Sequence, residues 1–192
     1  MELERTPLLT DLYELTMLQT YYEHGMEQQA VFEFFLRRSR HRPYFVTAGL
    51  GQALHWLEGL RFTDEELAWL EDSGLFSHAF VERLATFRFT GEVRAMPEGS
   101  ICYPEEPVLQ VIAPLPEAQL VESRLMNIVH FQTLIATKAA RCIEAADGRM
   151  VVDFGLRRAH GGEAGLWPPG PATSQGSRPP PPPWQGRCTV SP

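Results

Sequence analysis

Apolar residues recur at two different periods along the chain, and the change of period separates helical from extended segments. Between Asp11 and Gly25, leucines and a tyrosine return at helical spacing, which predicts an amphipathic helix ended by the glycine. Glu14 follows Asp11 by three residues, so the start of this helix is predicted to be a capping box. The next run, "AVFEFFLRR", is rich in β-branched and aromatic residues and predicts a strand.

The middle of the chain changes from helical to extended patterns. Three helices are predicted here. The first covers residues 52–60, the second begins at another capping box formed by Thr63 and Glu66, and the third covers residues 77–85. Residues 87–111 contain runs too short for helices, punctuated by Gly and Pro, which favours a small antiparallel sheet or barrel-like subdomain.

A long helical pattern precedes one last apolar run. Residues 117–146 contain neither Pro nor Gly and carry an apolar stripe, which predicts one long helix or two abutting ones. The following "RMVVDFG" is typical of a buried strand, and we expect it to be the first strand of a parallel α/β unit.

Charge and cysteine content narrow the possible partners. The formal net charge is −7, which argues against nucleic acid or an anionic membrane as the main partner, because both demand a basic footprint. Cys102, Cys142 and Cys188 show no paired spacing, so neither a disulfide framework nor a zinc site is indicated. No signal peptide and no apolar run of membrane-spanning length is recognisable. We therefore expect a cytoplasmic protein that handles small molecules or contacts other proteins.

The residues after the last predicted strand are candidates for anion binding. Arg157 and Arg158 lie in a glycine-bounded turn, where α/β folds place ligands and where guanidinium groups can hold carboxylate or phosphate. A solvated arginine pair on a loop is the alternative. His160 could donate to an anion or be a plain loop histidine, and Thr137 lies beside Lys138 near a helix end, from which both could reach an anion.

Several motifs in a fixed order carry a family resemblance. "TDLYELTM", "FEFFLRR" followed by "TAGL", "MPEG", "EPVLQVIAPLPEAQLVESRLMNIVHFQTLIATKAAR" and "DFGLRRAHG" together resemble nicotinate phosphoribosyltransferase over roughly residues 7–165. The resemblance implies ATP-stimulated transfer of a phosphoribosyl group from phosphoribosyl pyrophosphate to nicotinate, giving nicotinate mononucleotide and pyrophosphate in NAD biosynthesis. Quinolinate phosphoribosyltransferase is a rival within the same class, disfavoured by "TDLYELTM".

The resemblance also implies a fold and roles for particular residues. It implies a mixed α+β and α/β protein, with a sandwich-like domain over residues 1–115 and the long helix and first strand of an irregular α/β barrel over residues 116–165. The family forms homodimers with shared active sites, in which Asp11 and Tyr13 would enter the site of the partner. Arg157 and Arg158 would hold the nicotinate carboxylate or a phosphate. Mg²⁺ and ATP are implied as cofactors, although no motif in this chain binds either.

Residues 166–192 depart from the family. The segment that carries the family's phosphorylatable histidine is absent, so we expect no catalytic histidine in this chain and no activity of the chain by itself. The tail holds nine of the sixteen prolines, and a shifted reading of GC-rich codons after about Gly165 permits a continuation like that of the family. A frameshifted, disordered tail is therefore predicted. The alternative is an inactive binding module whose "RPPPPPW" binds an SH3 or WW partner as polyproline II.

Overall fold

Five helices and six short strands make up the part of the chain that the computed structural model describes, which is residues 6–160 and the backbone of residues 188–189. The helices are α1 (Leu12–Glu23), α2 (Leu50–Glu58), α3 (Asp64–Asp72), α4 (His78–Ala85) and α5 (Leu115–Ala146). The strands are β1 (Gln29–Phe35), β2 (Phe45–Val46), β3 (Glu92–Ala95), β4 (Ile101–Cys102), β5 (Pro107–Pro114) and β6 (Cys188–Thr189). The predicted helices and the first predicted strand are confirmed.

The strands form two antiparallel sheets, as the short runs of the middle segment predict. The larger sheet has the order β1-β5-β3-β6, with β5 between β1 and β3. In its register Phe32 faces Val111, and Val111 in turn faces Val93 on the other side. The smaller sheet pairs β2 with β4.

Helix α5 covers one face of the larger sheet and joins it to the other helices. Pro116 is the second residue of its first turn, where the backbone N–H has no partner within the helix, and its buried residues extend from Pro116 to Thr137. The main core contains side chains from all five helices and from β3 and β5, among them Leu18, Leu57 and Leu84. Burying such side chains contributes about 1.5–3 kcal/mol each. Because this core continues past Leu115 into α5, the helix is part of the same packed unit.

The two predicted capping boxes have different outcomes. At α3, Thr63 Oγ1 accepts from Glu66 N and the Glu66 carboxylate accepts from Thr63 N, so this capping box is confirmed. At α1, Asp11 is the N-cap residue by backbone position but its side chain makes no capping hydrogen bond. The prediction of a capping box at α1 is therefore wrong. The carboxylates of Asp11 and Glu14 instead accept from the hydroxyl of Ser123 in α5.

The predicted buried strand after α5 is also wrong. Residues 149–155 form no strand, and Met150 and Phe154 are 89% and 85% exposed. A parallel strand needs hydrogen-bonding neighbours on its edges and apolar cover on both faces. No barrel strand lies within the described part of the chain, and the apolar side chains of residues 150–154 face solvent.

The tail falls almost wholly outside the described residues. Residues 161–187 and 190–192, with the predicted reading-frame change and the polyproline ligand, lie there. Within the described ranges no helix is long and apolar enough to span a bilayer.

Candidate functional site

The first turn of α1 presents Asp11 and Tyr13 beside the long helix α5. The Ser123 hydroxyl lies 2.9 Å from Asp11 Oδ2 and 2.8 Å from Glu14 Oε1, so one hydroxyl group joins two carboxylates. Tyr13 is 45% exposed, and its backbone carbonyl accepts a hydrogen bond from Thr16 Oγ1. Tyr13 is thus partly available for contact with another molecule.

Glu14 is the buried member of this group. Its side chain is fully buried, and Gln119 Nε2 donates to its second carboxylate oxygen. Gln119 Oε1 accepts in turn from the Tyr21 hydroxyl at 3.3 Å. Two turns of α1 are therefore attached to α5 through polar contacts, which compensate for burying a carboxylate.

The electrostatics around Tyr13 are acidic. The Ser123 hydroxyl lowers the pKa of Tyr13, but burial, a hydrogen bond with Glu14 and the negative charges of Glu14 and Glu122 together raise it. Burial, followed by the charges of Glu14 and Asp11, raises the pKa of Glu122, which the Gln119 hydrogen bond partly offsets. This end of α1 therefore favours neutral or cationic groups.

A cleft of about 380 Å³ opens between β1, β5 and α5 next to these acidic side chains. Its lining is mainly apolar: Val31, Phe32, Phe34, Leu109, Val111, Ala118, Val121, Leu125 and Met126, with Glu33 and Glu122 as the charged members. Glu122 belongs both to the cleft wall and to the surroundings of Tyr13.

The arginine pair lies on a 3₁₀ turn, Leu156–Arg158, that follows the exposed segment after α5. Arg158 N donates to Gly155 O at 2.7 Å, and Gly155 N donates to Asp153 Oδ1 at 2.6 Å. Arg157, Arg158 and His160 are all exposed. Among the contacts between described residues, none joins this turn to Asp11 or Tyr13.

Thr137 has a different environment from the one that its sequence neighbours suggest. Its side chain is 1% exposed, and its hydroxyl accepts from Val46 N at 2.9 Å and donates to Thr133 O at 2.6 Å. The hydroxyl is therefore occupied by the backbone of β2 and of its own helix. Lys138, the next residue, is exposed.

Three of the sequence motifs meet at one junction that sequence reasoning missed. Gly49 N of "TAGL" donates to Glu98 Oε1 of "MPEG" at 2.9 Å, while Ala48 N donates to Thr133 Oγ1 of α5 at 3.1 Å. Thr47 Oγ1 donates to Pro97 O at 2.7 Å. Since each contact joins residues at least 49 positions apart, only the folded chain reveals it. The junction fixes α2, β2 and α5 relative to one another.

A basic turn after β1 was missed too. Five of the six residues in 37–42 are basic and exposed: Arg37, Arg38, Arg40, His41 and Arg42. Arg38 pairs with Glu105 at 3.6 Å, and Arg141 Nη1 of α5 donates to His41 O at 3.3 Å. The net charge of the whole chain is −7, so this turn is a positively charged patch on an acidic protein. The run "RRSRHR" is the sequence signal that could have revealed it.

Clusters of metal-ligating side chains are the next feature of the described residues. Within 6–160, no group of three or more His, Cys, Asp or Glu side chains is arranged to hold a metal ion. We assign no step to the Mg²⁺ that the resemblance implies.

Comparison with known proteins identifies the family. The family described as nicotinate phosphoribosyltransferase (NAPRTase) N-terminal domain matches residues 8–130. A nicotinate phosphoribosyltransferase of Mycobacterium tuberculosis is 50% identical over 158 residues, which are 82% of this chain and 34% of the relative. The Bacillus subtilis enzyme is 44% identical over 162 residues, which are 83% of this chain and 33% of the relative.

Solved structures agree. The crystal structure of human nicotinic acid phosphoribosyltransferase superposes with a TM-score of 0.74 at 36% identity, over 82% of this chain and 33% of that chain. Nicotinate-nucleotide pyrophosphorylase from Pyrococcus furiosus gives a TM-score of 0.61 at 23% identity, over 80% and 32% of the two chains, and shares the fold. This chain spans about a third of the length of the curated relatives it matches. On this match and on the shared fold, the chain belongs to the nicotinate phosphoribosyltransferase family through its N-terminal domain.

Proposed function

We propose that this chain supplies the N-terminal part of an enzyme that transfers phosphoribosyl from phosphoribosyl pyrophosphate to nicotinate, with ATP stimulating the reaction. The family match over residues 8–130 is the observation that carries this proposal. In the reaction the pyridine nitrogen forms a bond to C1 of the ribose, and the C1–O bond to pyrophosphate breaks with its electron pair leaving on pyrophosphate. The ring nitrogen becomes cationic, whereas phosphoribosyl pyrophosphate and the pyrophosphate that leaves are anions.

The surroundings of Tyr13 suit the cationic side of this reaction. The phenol ring of the partly exposed Tyr13 can stack on a planar pyridine, and Glu14 and Glu122 place negative charge close to Tyr13. Negative charge stabilises a developing pyridinium and repels the nicotinate carboxylate. The carboxylate should therefore point away from α1, toward cations such as Arg157 or Arg158.

The basic turn at residues 37–42 suits the binding of the anionic substrate, phosphoribosyl pyrophosphate. Phosphoribosyl pyrophosphate carries several negative charges, and exposed guanidinium groups bind phosphate oxygens in a bidentate manner. With Arg141 of α5 against the turn, its cations lie beside the long helix. We propose that this turn contributes to phosphate binding.

The family implies a homodimer in which Asp11 and Tyr13 serve the site of the partner. If so, mixing Tyr13→Ala and Arg157→Ala subunits should restore part of the activity, because some heterodimers contain one site free of both changes. Mixtures no more active than their parents, after verified subunit exchange, would place Tyr13 in the site of its own chain or outside any site.

The test of the proposed activity uses a chimera in which residues 6–160 replace the matching segment of the Bacillus subtilis relative. We expect a dimer that converts nicotinate, and Tyr13→Ala should lower kcat/KM for nicotinate by about tenfold or more, since the stacking ring is lost. Tyr13→Phe keeps the ring and should retain most of the activity. Tyr103→Ala, at an exposed tyrosine of the β4–β5 turn, is the matched control. A folded chimera without turnover would contradict the proposal.

The 192-residue chain alone is expected to form no nicotinate mononucleotide. Transition-state stabilisation requires donors from further barrel strands, which the described residues do not supply. Sequencing the coding DNA from Gly165 to Pro192 should show a second frame that continues the family sequence. Turnover by the purified chain, or a second frame interrupted by stop codons, would contradict these expectations.

A further inference from the structure

One serine on α5 holds the first turn of α1. Asp11 and Glu14 have the spacing of a capping box, which would satisfy two backbone N–H groups at a helix start. In the structure neither makes that contact, and both reach the Ser123 hydroxyl at 2.8–2.9 Å. The local capping hydrogen bonds are thus replaced by contacts with a residue that is 109 or more positions away along the chain.

The geometry around Ser123 is demanding. A hydroxyl has one proton, so it donates fully to one carboxylate at a time, and a second carboxylate at the same distance must share that proton or carry its own. Glu14 is held in place by Gln119, which leaves Asp11 as the partner free to adjust. Tyr13 lies between these two residues in the same turn of α1. The position of this turn, and with it the Tyr13 ring that the turn carries, thus depends on Ser123.

We propose that Ser123 is a positioning residue, which fixes Asp11 and the Tyr13 ring in the orientation that they present to a ligand. The inference rests on the proposed function, because it takes Asp11 and Tyr13 as the residues that meet nicotinate. Departures from local rules concentrate at functional sites, and a capping sequence that does not cap is such a departure. Ser123 itself need not touch substrate.

The first test observes Tyr13 directly in the 192-residue chain. The five tyrosines are replaced by 3-fluorotyrosine, and Tyr13→Phe identifies the Tyr13 fluorine resonance. The groups that face this phenol are Glu14 of α1 and Ser123 and Glu122 of α5. Because the Ser123 hydroxyl favours the phenolate, Ser123→Ala should move the Tyr13 resonance and raise its titration midpoint. Ser123→Thr keeps the hydroxyl and should restore both.

Controls separate positioning from general loss of structure. Alanine has the highest helix propensity and Ser123 is only half-buried, so Ser123→Ala should keep the helix content measured by circular dichroism. If it does not fold, Ser123→Cys, a weaker donor of similar size, gives the same reading. Ser73→Ala, whose hydroxyl donates to Leu70 O in another helix, should leave the Tyr13 signal unchanged. An unmoved Tyr13 resonance in a folded Ser123 variant overturns the inference.

The second test measures kcat and KM for nicotinate in the chimera. We expect Ser123→Ala to lower kcat/KM by about 3- to 10-fold, with Ser123→Thr near the parent value. An inactive parent chimera would contradict the proposed function while the fluorine experiment still decides on Ser123. An active parent in which Ser123→Ala has unaltered kcat and KM would overturn the positioning role and leave the proposed function standing.

Discussion

Replacing Thr137 by Val tests whether this threonine supports the fold or binds an anion. Valine has the same shape without the hydroxyl, so the change removes two hydrogen bonds and little volume. Val46 N would lose its acceptor at 2.9 Å, and Thr133 O would lose a donor at 2.6 Å. Leaving one buried N–H unsatisfied costs about 1–3 kcal/mol, whereas the helical carbonyl retains its backbone partner. We therefore expect a loss of about 1–3 kcal/mol in the free energy of unfolding.

Urea unfolding of the 192-residue chain, followed by circular dichroism, measures this loss as a lower midpoint at unchanged slope. Thr137→Ser keeps the hydroxyl and should recover most of the hydrogen-bond energy. In the chimera, Thr137→Val should leave the affinity for phosphoribosyl pyrophosphate unchanged at temperatures where it stays folded. A variant as stable as the parent but weaker in phosphate binding would refute the structural role and support the anion-binding role that the sequence suggested.

Other substitutions test the junction, the electrostatics and the arginine turn. Gly49→Ala should destabilise the chain by about 2–4 kcal/mol in thermal unfolding, since Gly49 has φ +98° and its Cβ would lie 3.1 Å from a carbonyl oxygen of α5; Gly51→Ala, at an open helical position, should be neutral or stabilising. Burial raises the pKa of Glu117, so its charged form disfavours folding. The unfolding free energy of Glu117→Gln relative to the parent should therefore increase between about pH 4 and pH 7, and a flat difference would contradict this. In the chimera, Arg157→Ala or Arg158→Ala should cost about 2–4 kcal/mol in kcat/KM, and two fully active single variants would exclude the pair from the site.

Local patterns predicted the helices because each one carries its own signals. Thr63 and Glu66 satisfy backbone groups three residues away, and the distant Thr6 donates to Glu66 Oε1, which leaves Oε2 for the cap. Asp11 and Glu14 show the same spacing, but Ser123 of α5 competes for both carboxylates. Tertiary contacts thus leave the cap of α3 in place and accompany the loss of the cap of α1, and no short window of sequence contains those contacts.

The site was predictable to a different extent in its separate parts. Asp11 and Tyr13 came from motif resemblance, and the structure gives them an exposed helix end with acidic neighbours. Their roles stay predictions. Thr137 is an anion-binding candidate in sequence because it lies with Lys138 near a helix end, yet burial against β2 determines its hydrogen bonds. An apolar run predicted a strand at residues 149–155, but a strand also requires partners, and sequence composition does not supply them.

Helix α5 extends past its buried part, and there Ala140 packs against the Val46 cluster and Arg141 Nη1 donates to His41 O. Its last buried residue is Thr137, and nine further residues reach Ala146, a length of about 13 Å at 1.5 Å per residue. If the helix axis rotated by about 5° about Thr137, Ala146 would move by about 1 Å. This displacement exceeds the roughly 0.5 Å within which catalytic side chains must be held. The arginine turn follows α5 along the chain. The hydroxyls of Thr133 and Thr137, which accept from Ala48 N and Val46 N, therefore set the direction in which the last turns of α5, and the turn that follows them, leave the packed domain.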